Sequence, residues 1–217
     1  MDLDDDTFDV KHIRYYGYTS TKYLACDTPE VYIEYVGSKY ASLSMPERMD
    51  LAFSILDKDM EGVKYIGIED YAYGKAKAKK GQATSAGRIF QIGEFCGGVR
   101  YHFYSMGIGI VNYNILQIKK YATGDGQADK VPMCLALEEQ FPDLCPKLFK
   151  EFPEAHRYDS PHADMCDAFW MCEILRNHLK FEKLGPSSID EVSLKLLTKA
   201  SSKKSKSLVD SDLIIKK

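Results

Sequence analysis

The chain has 217 residues, 45% of them hydrophobic and 28% charged, with a formal net charge of −3. That length supports one domain with a full core and leaves no room for two large ones. No apolar run is long enough to span a bilayer, and the near-balanced charge excludes a globally basic nucleic-acid binder, so any contact with a phosphate backbone has to come from local clusters.

In chain order, the first segment, Met1-Asp2-Leu3-Asp4-Asp5-Asp6, is acidic and lacks the apolar stretch of a secretory signal. Residues 10–36 hold aromatic and β-branched clusters around Tyr15-Tyr16, Tyr23-Leu24 and Val31-Tyr32-Ile33. They predict antiparallel strands, with turns at Asp27-Thr28-Pro29 and Gly37-Ser38. Ser44, followed by Pro46 and Glu47, has the spacing of a capping box and predicts a helix running to about Leu56. Residues 63–69 predict a short buried strand that ends in Glu69 and Asp70. The following loop, 74–81, sets Lys75, Lys77, Lys79 and Lys80 among small residues. Such a loop suits contact with a phosphate backbone, or is a solvated loop with no partner.

A helix is predicted over 84–105, and its Gly87, Gly93, Gly97 and Gly98 suggest close packing on a sheet. Residues 108–113 read as another strand. Lys119, Lys120 and Lys130 flank the loop Gly124-Asp125-Gly126, which opens a helix with Pro132 in its first turn, running to about Gln140. Exposed amides at such a helix start can hold a phosphate; a plain turn is the alternative. A proline-rich stretch leads to a long apolar helix that stops at Gly185-Pro186. A short helix capped at 188–191 follows, then a Lys/Ser-rich tail over 201–207 that reads as mobile.

The start of the long helix carries the chemistry. Asp164 and Asp167 are three apart, hence on one helical face. Met165, Ala168, Phe169, Cys172, Leu175 and Leu179 mark a buried face beside them. Two carboxylates at the edge of a core repel unless a cation lies between them. With Glu69 at a strand end, where α/β sheets gather functional groups, the set reads as a site for one or two divalent ions with oxygen ligands. The plainer alternative is that Glu69 only ends a strand and the aspartates only favour a helix N-terminus. The six cysteines (Cys26, Cys96, Cys134, Cys145, Cys166, Cys172) show no C-x-x-C spacing and read as reduced core residues with no zinc site.

The order of these segments resembles the RuvC-type Holliday junction resolvases, most of all their phage and viral branch. The pieces are Ile-Glu-Asp-Tyr-Ala-Tyr-Gly (68–74), the glycine-spaced helix, the lysine segment 118–130 and His-Ala-Asp-Met-Cys-Asp-Ala (162–168). The resemblance spans about residues 40–180. It implies an α/β, ribonuclease H-like mixed sheet flanked by helices over 1–183, with residues 184–217 adding a terminal helix and a basic flexible tail. It further implies a homodimeric, structure-selective endonuclease that cuts four-way or branched DNA with Mg²⁺, or Mn²⁺ in its place, and with no small-molecule cofactor. The expected location is the cytoplasm of an infected host cell, away from membranes.

Carried over residue by residue, Glu69, Asp164 and Asp167 match catalytic metal ligands, and Lys119 and Lys130 match lysines that hold phosphates. Lys120 adds charge beside them. Lys77, Lys79, Lys80 and Tyr73 are candidate DNA contacts, with Tyr71 near the aromatic used at the junction centre. The family's first strand bears an Asp-x-Ser pattern that has no counterpart here. Three explanations stand open: a start upstream of Met1, substitution by Asp6 or Asp9, or a form that binds junctions without cutting them.

Overall fold

The computed structural model describes residues 1–37, 40, 42–70, 86–146, 158–198 and 213–214, with 86–89 and 213–214 described by their backbone alone. Tyr71, Tyr73, Lys77, Lys79 and Lys80 lie outside the described residues.

The chain begins as a two-stranded antiparallel ribbon, β1 (Asp2–Leu3) and β2 (Val10–His12). Asp4 sets the turn between them by accepting the backbone N–H groups of Asp6 and Thr7, each at 3.0 Å. A second sheet has β5 (Val31–Tyr35) at its centre, with β3 (Tyr15–Thr19) on one side and β4 (Cys26–Asp27) on the other. β3 runs parallel to β5, with Tyr15 opposite Val31 and Thr19 opposite Tyr35; only β4 is antiparallel. The expectation of an all-antiparallel set is therefore corrected. Thr28 closes the β4–β5 turn by accepting the Val31 N–H on its hydroxyl, so the short hairpin takes the antiparallel pairing. Residues 22–24 form a 3₁₀ turn rather than the expected strand.

Helix α1 (Met45–Leu56) starts at the capping box read from the sequence: the Ser44 N–H donates to Glu47 Oε2 at 2.7 Å. β6 (Tyr65–Glu69), α2 (Ala86–Ser105) and β7 (Gly109–Tyr113) form a βαβ unit whose strands pair in parallel, Tyr65 with Gly109 through Glu69 with Tyr113. β8 (Leu213–Ile214) pairs antiparallel with β7, so the end of the expected tail belongs to this third sheet. β6 is at the sheet edge and only half buried, against the expectation of a buried strand, because one of its sides has no strand beside it among the described residues.

Among the described residues four further α-helices follow: α3 (Ile115–Thr123), α4 (Lys130–Gln140), α5 (His162–Leu184) and α6 (Glu191–Thr198). The lysine segment gave no helical expectation at 115–123; there Asn114 caps α3 by accepting the Leu116 N–H at 2.9 Å. α3 stops at Gly124, whose φ of 80° suits the left-handed cap that glycine takes without strain.

The main core joins β3, β5 and β7 to α3, α4, α5 and α6 through Val31, Val111, Tyr113, Ile118, Leu137, Trp170 and Leu197. Leu197 is fully buried, so α6 shares that core. A smaller cluster, Phe103, Ile108 and Ile110, lies under α2. The molecule is thus an α/β arrangement of mixed sheets flanked by helices. The described strands form three small sheets, where one mixed sheet was expected. Of the helical glycines, Gly98 meets Met49 of α1 and Gly93 meets open space, so close packing on a sheet explains neither.

Candidate active site

α5 is buried along most of its length, and its first turns explain why the acids are not. The expected apolar face is present at Met165, Phe169, Leu175 and Leu179, but Ala168 is exposed. Asp164 lies one turn before Ala168 on that open strip, and Asp167 is half buried at its margin. Lys130, the first residue of α4, donates to Asp164 Oδ1 at 3.1 Å. The Ser160 hydroxyl donates to the other oxygen of the same carboxylate.

Glu69 ends β6 on the side from which Asp167 feels it. Burial pushes the Asp167 carboxyl up to about 6; the Asp164 and Glu69 charges add to this, and Lys130 and Lys119 oppose it. Glu69 is likewise raised by the protein around its carboxyl, with Lys119 again opposing. Five charged side chains from β6, α3, α4 and α5 therefore share one field, three negative and two positive. Among the described residues the three carboxylates do not lie within 4.8 Å of one another, so they form a loose acidic patch. Two ions spaced ~3.5–4 Å apart bridge such a spread more readily than one.

The charges of Glu69, Asp164, Lys119 and Lys130 all act on Asp167, and Lys130 is in direct contact with Asp164. Lys120, about 100° further round α3, is exposed and is not among the principal charges acting on either raised carboxyl. Neither candidate for the missing aspartate joins the set. Asp9 pairs with Lys180 at 3.4 Å, and Lys180 is ~24 Å along α5 from Asp164 at 1.5 Å per residue. Asp6 sits in the ribbon turn beside Asp5, which pairs with Lys64 at 2.7 Å, at the end of β6 away from Glu69. The acidic N-terminal segment thus lies at the opposite side of the fold.

Sequence reasoning missed three supporting groups. Arg100 of α2 donates from Nη2 to the Glu69 carbonyl at 3.2 Å and from Nε to Asn112 Oδ1 at 3.0 Å, fixing the end of β6 to β7. Ser160 orients Asp164 from the residue before Pro161. Tyr18 is raised by burial and, to a lesser degree, by the Asp164 charge, which places β3 near the acids. Its ring lies 4.8 Å from that of Tyr40, and the Arg48 guanidinium lies 5.3 Å from the Tyr40 ring centre. These residues and Phe95 line an open cleft of about 250 Å³. Aromatic faces with a stacked guanidinium can hold an unpaired base.

No protein-family model matches the chain, and no curated protein matches it. Among solved structures it is similar to RuvC of Thermus thermophilus, at 17% identity and a TM-score of 0.42, over 66% of this chain and 73% of that one. A second structure, T. thermophilus RuvC in complex with a Holliday junction substrate, gives 16% identity and the same TM-score and coverage. Among the described residues, no helix is long and apolar enough to cross a membrane.

Proposed function

We propose that the chain is a divalent-metal-dependent endonuclease of branched DNA, with four-way junctions as its substrate and a ribonuclease H-like arrangement behind the site. The observation that supports this most is Asp167, held at about 6 although two lysines lie in its field. A half-buried carboxylate with two further carboxylates acting in the same region offers oxygen ligands that fit Mg²⁺ or Mn²⁺. Glu69, Asp164 and Asp167 would hold the metal. When bound, such an ion acidifies a water and stabilises the leaving 3′ oxygen.

The chain's own residues do the rest. Lys119 and Lys130 offset charge on the scissile phosphate, and Lys130 exchanges Asp164 for that phosphate. Arg100 keeps Glu69 in register with β7. The Tyr18–Tyr40 cleft accepts a base displaced from the stack. The choice of a four-way substrate rests on the motif order, as do the homodimer, the phage or viral setting and the cytoplasmic location. α2 leaves Phe90, Tyr101 and Tyr104 exposed along one side, a face that a second copy would cover, setting two sites on opposed strands.

The test is Asp167→Asn with a synthetic four-way junction. Mg²⁺-dependent cleavage is expected to fall at least ~10³-fold, while junction binding stays close to the parent's. Undiminished cleavage would remove Asp167 from the site. A second reading, a protein that binds junctions without cutting them, draws on the placement of Asp6 and Asp9 away from the patch. It requires equal binding with and without Mg²⁺ and no nicked product from the parent protein.

A further inference from the structure

The inner side of the α5 start carries different chemistry. His162 and Cys166 are four apart on α5, hence on one helical face. Cys134 comes from the second turn of α4. All three are fully buried, and their imidazole nitrogen and sulfur atoms lie within 4.8 Å of one another. The nearby Cys134 thiol, together with burial, pushes the Cys166 thiol well above its ordinary range. The His162 ring lies nearly parallel to Tyr158, 25° between planes, with centroids 6.3 Å apart. Cys145, also buried, acts on Cys166 from the turn after α4.

Two thiols and an imidazole gathered from two helices form a ligand set for a soft or borderline ion, not for Mg²⁺. An ion at ordinary metal–sulfur and metal–nitrogen lengths, roughly 2.3 and 2.0 Å, needs its ligand atoms ~3.5–3.8 Å apart. A contraction of about 1 Å from the observed upper spacing meets that, well within what side-chain rotation allows.

We propose that Cys134, His162 and Cys166 form a thiophilic metal site, for Zn²⁺ or an ion of like softness, separate from the acidic patch. Binding forms two metal–sulfur bonds and one metal–nitrogen bond and releases two thiol protons to solvent; nothing is oxidised or reduced. The fourth position is open to Cys145 or water. The ion clips α4 to α5. Lys130 lies one turn before Cys134, and Asp164 two residues before Cys166, so the clip sits directly under the Lys130–Asp164 pair and holds the two helix starts that build the patch. This reading stands whether or not the chain is a nuclease.

The experiment uses the full chain, untagged and purified without chelator. It is analysed for bound metal, then titrated after metal removal with Cd²⁺ and Co²⁺ as thiolate-sensitive probes. The site predicts about one ion per chain, a sulfur-to-metal charge-transfer band, and a rise in Tm with Zn²⁺. The double variant Cys134→Ala/Cys166→Ala loses the band and the Tm rise, whereas Glu69→Gln/Asp167→Asn keeps both. A parent protein without a charge-transfer band overturns the proposal even if the cysteine variant fails to fold. So does metal binding that disappears with the carboxylate variant and survives in the cysteine variant.

Discussion

Two faces of the same helical stretch separate in character within six residues. On one side of the α5 start, Asp164 is exposed and Asp167 half buried, among lysines from α3 and α4. On the other, His162 and Cys166 are fully buried against Cys134 and the main core. Solvent access decides what each side can hold. Carboxylates tolerate a water-facing margin, where charge is screened and hard ions keep part of their hydration. Thiols and a neutral imidazole tolerate the interior, where an isolated carboxylate would not remain ionised. One backbone segment therefore displays two donor sets of opposite softness without mixing them.

The largest way to break that contrast acts on the inner face. Trp170 is buried, and its Nε1–H donates to the Met133 carbonyl at 3.1 Å, tying α5 to α4. Trp170→Ala opens a cavity and leaves that carbonyl without its donor, for a loss of ~3–5 kcal/mol. Urea denaturation measures it, and a loss below 1 kcal/mol would mean that the two helix starts are held mainly by something else.

A smaller effect sharpens the outer face. The Asp167 carboxyl binds its proton more tightly folded than unfolded, with about 6 against an ordinary 3.8. Between those values the native state carries the extra proton, so its stability declines as pH rises through that window and stays lowered above it. In chelator-containing buffer, Asp167→Asn is expected to raise Tm by a few degrees at pH 8 and by nothing at pH 3.5. Parallel Tm-against-pH curves for the two proteins would show that Asp167 is not under that strain. The same protonation competes with a divalent ion, so cleavage is expected to fade as pH drops below about 6.

The smallest effect tests the lysines. Lys130→Ala leaves Asp164 with Ser160 and without its ion pair, and on the proposed reading removes one phosphate contact. DNA affinity should drop modestly, and the salt dependence should lose about one unit of slope. A slope equal to the parent's would take Lys130 out of the DNA interface.

Much of the scaffold was legible because it is written in local chemistry. The Ser44–Glu47 box, the β-branched run ending at Glu69, and the apolar period closed by Gly185 each depend on neighbours within a turn or two. The acidic pair and Glu69 were found for the same reason, as charges at element ends. Parallel pairing of β3 with β5 was not legible, because alternation says which face a strand buries and nothing about its neighbour's direction. α3 was missed because a short helix carrying adjacent lysines has little apolar period beyond Ile115, Ile118 and Ala122. Asp6 and Asp9 stood open as substitutes for the absent aspartate until the ribbon set Asp6 next to Asp5, which pairs with Lys64, and paired Asp9 with Lys180.

The sequence by itself determined most of the helical and strand segments and the carboxylates at their ends, since propensity, capping and spacing act over a few residues. Only the tertiary structure decided which distant groups meet. Cys134 is separated from Cys166 by a proline-rich connection, and no spacing rule announces that they converge on His162. Their meeting depends on how α4 packs across α5, a long-range contact fixed by Trp170, Met133 and Leu137 in the core. The same packing carries Lys130 to Asp164.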